Sequence, residues 1–261
     1  MKKLIYGILL IGFVLFLNSC SVQKQVINDP EEVIQLRMSN LDDGTNGSGV
    51  AYNSDLKLYY TVIAGNAEFP LEVFEENGEN VYTASAGVDC RGLWYNKSTK
   101  TLEANVYQGG LYKIIISEEG IPTGQIAAVF DGGEQPYSNS CAEYNFKSGK
   151  LLYYYSGTVY TANRKNGKIE SKIKLELPCN IEDINTTSII YTGYKGMEIG
   201  ILNCGQWKLY LFNLKDGSLK ATVNIPDYMT VDCAFMFDFA NDYAFFYNVN
   251  DRIWSGIKIF K

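Results

Sequence analysis

The chain of 261 residues contains no histidine. That absence removes Ser–His–Asp and Cys–His relays and every His-containing zinc site. No C-x-x-C occurs among the 6 cysteines, so neither a dithiol redox motif nor a thiolate metal site is indicated. No D-x-[DN]-x-[DN]-G loop is present either, and no metal is expected. Bases are outnumbered, 23 Lys and Arg against 29 Asp and Glu, with a pI of about 4.9. A net charge of −6 argues against a nucleic-acid partner. Proline is scarce at 6 residues, while Tyr reaches 20, Phe 13 and Gly 24. Aromatic residues in short alternating runs point to β structure.

The longest apolar stretch, Leu4–Leu17, follows Lys2 and Lys3 and precedes Asn18-Ser19-Cys20. As a helix it would cover about 21 Å at 1.5 Å per residue, short of a hydrocarbon core of roughly 30 Å. A basic start, an apolar run and a small residue at the end instead read as a secretory signal. Leu17-Asn18-Ser19-Cys20 resembles the lipobox of bacterial lipoproteins, although Asn is less usual at its position. The resemblance implies cleavage before Cys20 and acylation of that thiol. Ser21 after the cysteine implies the outer membrane, so the expected location is the cell envelope. The expected division is a signal peptide over 1–19, a tether over 20–31 and a folded domain over 32–261. Leader removal takes away two lysines and no acid, leaving the mature chain more acidic.

A repeat runs through the rest. Tyr52, Tyr95, Tyr144, Tyr191 and Phe237 each precede a short polar residue and are spaced 43, 49, 47 and 46 apart. That period suits a four-stranded propeller blade. In the fourth unit, strands are expected at 188–192, 197–203, 208–214 and 219–225, with Lys215-Asp216-Gly217-Ser218 as the last turn. LYLFNLKDGSLKATV resembles the blades of quinoprotein-like and YVTN-type propellers, and the resemblance implies fold, not activity. Only three strands precede the terminus in the fifth unit, while Glu32–Asn40 is left over. The expectation is an all-β, five-bladed β-propeller whose last blade is closed by the N-terminal strand, which covers otherwise open edges.

The connections between blades hold Asp42, Asp43, Asp89, Asp131, Glu134, Glu182, Asp183, Asp227 and Asp232, with Arg91 as the one base. Acids before strands cap turns; clustered at a channel mouth, they also focus field on a cation or basic partner. Trp207 and Trp254 are expected at the same end, where exposed rings would stack on a sugar or cation. Cys90, Cys141 and Cys233 share one repeat position. Cys179 and Cys204 are placed where they can pair, although the pairing among the five cysteines stays open. Glu143 stands in an apolar column with Ala51, Trp94, Ile190 and Met236, and burial there would raise its pKa. These features suggest a non-catalytic binding or scaffolding propeller without cofactor, its acidic mouth taking a basic protein or a cationic or sugar ligand. The alternative is a glycosidase-like enzyme using Asp89, Glu143 and Asp232.

Overall fold

The computed structural model describes residues 24–39 and 46–261. Cys20 and the leader, like Asp42 and Asp43, lie outside the described residues. Five four-stranded antiparallel sheets form the blades. Strand β1 (Glu32–Arg37) is the first among the described residues. Blade one holds β2 (Asn46–Asn53), β3 (Leu58–Ala64), β4 (Pro70–Glu75) and β5 (Asn80–Ser85). Blade two holds β6 (Cys90–Asn96), β7 (Thr101–Val106), β8 (Gly110–Ile116) and β9 (Pro122–Asp131). Blade three follows with β10 (Glu143–Asn145), β11 (Lys150–Tyr155), β12 (Thr158–Asn163) and β13 (Ile169–Lys174). A 3-10 turn at Ile181–Asp183 leads into blade four, β14 (Ile190–Tyr191), β15 (Ile199–Asn203), β16 (Lys208–Phe212) and β17 (Leu219–Asn224). Blade five holds β18 (Phe237–Ala240), β19 (Tyr243–Asn248) and β20 (Ile253–Lys258).

The missing strand is β1. It pairs antiparallel with β20, Gln35 opposite Ser255 and Leu36 opposite Trp254, so the fifth sheet has the order β1-β20-β19-β18. The stretch before it, expected as a tether, also packs where it is described. Val26 bridges Phe260, and the Ile27 amide donates to the Ile259 carbonyl at 3.0 Å.

The first strands of the blades touch in a closed ring, β2 to β6 to β10 to β14 to β18 and back to β2, and so surround the axis. Apolar clusters fill the seams between blades. Leu36, Tyr59, Phe74, Phe245 and Trp254 close the seam from blade five to blade one. Leu209, Leu211, Phe237 and Phe246 fill the one before it.

The polar residue after each repeat aromatic has a local task. Oδ1 of Asn53, Asn96 and Asn145 accepts the amides of Asp55, Ser98 and Lys147, two residues on, and Thr192 Oγ1 accepts that of Tyr194. These bonds shape the first hairpin of four blades. Gly167 and Gly217, at φ 68° and 74°, supply the left-handed residue in the last hairpins of blades three and four.

Candidate functional site

Blade five breaks the pattern, and the break creates the site. Its first hairpin is the two-residue turn Asn241-Asp242, both residues left-handed at φ 50° and 67°, between Ala240 and its partner Tyr243. Ala240 pairs with Tyr243 as Asn53 pairs with Leu58, Asn96 with Thr101 and Asn145 with Lys150, and as the Thr192 amide meets the Glu198 carbonyl at 2.8 Å, so Phe239, not Phe237, aligns with Tyr52, Tyr95, Tyr144 and Tyr191. Glu143 therefore has Asp238 as its equivalent, rather than Met236. A carboxylate that the spacing counted among the short polar residues after the repeat aromatics stands instead beside the channel. Sequence reasoning missed it because the repeat was counted on aromatic residues, and Phe237 and Phe239 are both aromatic. The Asn-Asp turn was the available signal.

Just upstream, Phe235 and Met236 hold φ 52° and 54° in succession, an arrangement that L side chains disfavour by about 1–2 kcal/mol each. Neighbouring bonds hold them there. The Phe235 amide donates to Thr187 Oγ1 at 2.8 Å, and the Met236 amide to the Gly47 carbonyl at 2.8 Å. The strand then enters with Asp238 turned inward. Its carboxylate accepts the Val50 amide at 2.5 Å and the Phe239 amide at 2.6 Å.

Glu143 and Asp238 are both buried, at 9% and 3% exposure, and their carboxyls lie close enough to shift each other's protonation. Burial, first, and the neighbouring Asp238 charge hold the Glu143 carboxyl well above its ordinary value. Burial pushes Asp238 up to about 6, while hydrogen bonds from Glu143 and the Val50 and Phe239 amides offset part of that cost. Two like charges in a dry site are unfavourable, so the pair keeps one proton. Of the two, Glu143 is raised well above its ordinary value and is the natural holder of that proton. Cys141 sits alongside as a buried thiol that burial raises to about 12.

Glu143 also faces a cavity of about 250 Å³ at the ends of the first strands. Tyr52, Trp94, Tyr95, Tyr144, Phe146 and Tyr191 supply aromatic walls. Trp94 stacks on Tyr144 with centroids 5.9 Å apart, and Phe146 meets Tyr191 edge-on at 5.2 Å. The Trp94 ring is held from behind by Glu103, a fully buried carboxylate that accepts its indole N–H at 3.2 Å and the Asn96 amide nitrogen at 2.9 Å. Arg164 completes that shell, donating from Nε to Glu103 at 2.8 Å and pairing through its second nitrogen. Asp242 on the cavity wall accepts the Tyr194 hydroxyl at 2.6 Å.

This cavity opens at the hairpin end of the first strands, opposite the acidic connections. At the acidic end the side chain of Arg91 crosses the axis. From blade two it donates to Asn139 at 3.1 Å and lies 5.4 Å over the Phe235 ring of blade five, a blade that is not its neighbour. Asp89 forms its salt bridge, and Tyr107 covers its other side at 4.9 Å.

The other acids singled out in the sequence are dispersed. Asp131 accepts the Tyr112 hydroxyl at 2.9 Å, and Glu134 accepts the Ile169 amide at 3.0 Å. Asp232 caps the turn to Ala234 at 3.0 Å. Glu182 and Asp183 lie in the 3-10 turn, and Asp227 is in the connection to blade five. Among the described residues no group of three or more acids and cysteines is arranged to hold a metal ion. Trp254 is fully buried against Tyr247, because Gly47 leaves room for its ring, and offers no stacking face. Trp207 is half-buried against the seam of blades four and five. The cysteine pairing is Cys204–Cys233, not Cys179–Cys204, with the Cα atoms 5.5 Å apart.

No protein-family model and no curated protein sequence matches this chain. Among solved structures it is similar to the glutaminyl cyclase of Myxococcus xanthus, with a TM-score of 0.58 at 10% identity over 90% of this chain and 98% of that one. It is also similar to a luciferin-regenerating enzyme, with a TM-score of 0.50 at 13% identity over 87% and 94% of the two chains. At such identities the shared property is the propeller fold. The expectation of a non-catalytic scaffold is corrected here: propellers of this shape include enzymes, and the fold gives no ground for excluding catalysis.

Proposed function

We propose that this chain is an enzyme of general acid–base chemistry, with Glu143 as the proton donor and Asp238 as its positioning partner. One observation carries the reading: Glu143, a buried carboxyl beside the buried Asp238, stands at the wall of an aromatic cavity, and its burial and the Asp238 charge raise its pKa. A protonated Glu143 delivers its proton to a leaving nitrogen or oxygen. The carboxylate left behind faces the Asp238 charge in a poorly solvated place, so it recovers a proton from the attacking group. One residue thereby serves as acid and base in turn.

The cavity favours a small substrate with an amine. The single negative charge of the pair and the π faces of Tyr and Trp attract an ammonium group. A similar propeller is a glutaminyl cyclase, and a glutaminyl group carries both an amine and a carboxamide able to accept a proton. A glutaminyl dipeptide is therefore the substrate to assay, with ammonia release as the readout. The expected result is turnover by the parent and a loss of about 10²-fold or more in Glu143→Gln, the size of a general-acid contribution. Ammonia release no faster than in buffer, or equal rates in parent and variant, would overturn the assignment.

We further propose, from the leader sequence alone, that acylated Cys20 holds the propeller at the outer membrane. The proposal rests on the pattern at residues 1–21.

A further inference from the structure

Three cysteines of blade four and its flanking connections take no part in the channel site. The disulfide Cys204–Cys233 ties the turn after β15 to the connection entering blade five. Cys179, in the connection entering blade four, keeps its thiol and is half-buried. Its sulfur accepts the Asn203 side-chain amide at 3.2 Å, and Asn203 is joined directly to Cys204. The Cys204 sulfur lies 3.1 Å from the Asp183 carbonyl oxygen. Asn203 also donates its side-chain amide to the Tyr210 hydroxyl at 3.1 Å. The free thiol and the disulfide are thus gathered around Asp183, Asn203 and Tyr210.

The far end of the disulfide leads to the carboxyl pair. The Cys233 carbonyl accepts the Thr186 amide at 2.9 Å and its hydroxyl at 3.2 Å. Two residues on come the left-handed Phe235 and Met236, and then Asp238. A covalent tie at Cys233 helps to hold a stretch whose backbone would otherwise relax.

We propose that Cys179 is an internal thiol–disulfide exchange partner for Cys204–Cys233, and that exchange loosens the turn that aims Asp238. The Cys179 thiolate attacks the Cys204 sulfur. The Cys179–Cys204 bond forms as the Cys204–Cys233 bond breaks, its electron pair leaves on the Cys233 sulfur, and Cys233 takes up the proton that Cys179 gave to solvent. Oxidation state is conserved, so no outside oxidant is needed. After exchange, Cys233 is free and the connection entering blade five is no longer tied to the turn after β15.

The test does not depend on any catalytic role for Glu143. The full chain is held at mildly alkaline pH, its thiols are trapped by alkylation, and its disulfides are mapped by peptide mass. A Cys179–Cys204 peptide is expected beside the Cys204–Cys233 peptide, with complete loss of the former in Cys179→Ser. Cys233→Ser, oxidised with glutathione disulfide, is expected to yield Cys179–Cys204 as its internal bridge. A parent that shows Cys204–Cys233 alone under exchanging conditions overturns the proposal, whether or not Cys233→Ser folds.

Discussion

The Glu72 carboxylate of blade one grips Ser39, two residues past the end of the closing strand of blade five. It accepts the Ser39 amide at 2.9 and 3.0 Å and the Ser39 hydroxyl at 2.5 Å. The Asn80 side chain donates to the same carboxylate, and Glu72 itself is fully buried. A strand of one sheet is thus latched to the neighbouring blade at the point where the ring closes.

Closure should fail when either part is removed. A chain begun at Leu41 loses β1, uncovers the β20 edge and strips Leu36 and Ile34 from the seam. It is expected to aggregate or melt without cooperativity, as an open edge beside an unfilled core does. Glu72→Ala leaves the Ser39 amide without its acceptor and should cost about 1–3 kcal/mol in urea unfolding. A chain begun at Leu41 that melts like the parent would refute the role assigned to β1.

Anchoring is a separate matter, decided at one thiol. If Cys20 is acylated, the full chain enters the detergent phase on partitioning and Cys20→Ala moves to the aqueous phase. Several acyl chains give stable attachment, whereas a single chain gives marginal binding. A Cys20→Ala protein that still sediments with membranes after a salt wash would mean that another feature holds it there.

The blade count and the closing strand were legible in the sequence because both depend on spacing. Period, turn residues and the surplus of Glu32–Asn40 over a three-stranded last unit are all countable. Glu143 was legible too, as a charge in an apolar column. Its partner was not, because Asp238 depends on a one-blade change of hairpin length and on two left-handed residues that no pattern announces. The sequence shows charges by loop, yet the one base among them, Arg91, reaches across the axis, and Asp89, Asp131, Glu134 and Asp232 are each taken up by a nearby donor. Trp254 lies near a turn in the sequence, and the missing Cβ of Gly47 is what lets its ring sink into the seam.

The carboxyl pair should write itself into the pH dependence of stability. Asp238 is raised in the folded chain from its ordinary 3.8 to about 6, and Glu143 is raised well above 4.5. Both groups bind protons more tightly folded than unfolded. Their contribution is therefore complete below about pH 4 and declines as pH rises through 6, and further as Glu143 loses its proton. A shift of that size on Asp238 corresponds to about 3 kcal/mol. Glu143→Gln keeps a hydrogen-bond donor facing Asp238 while removing the second ionisation, so it imitates the protonated pair at every pH. Urea unfolding from pH 5 to 8 should show the parent losing stability relative to Glu143→Gln, with the gap widening toward the alkaline end. Curves that stay parallel across that range would mean that Glu143 ionises in the folded chain as it does in the unfolded one, and that the two carboxyls do not share a proton.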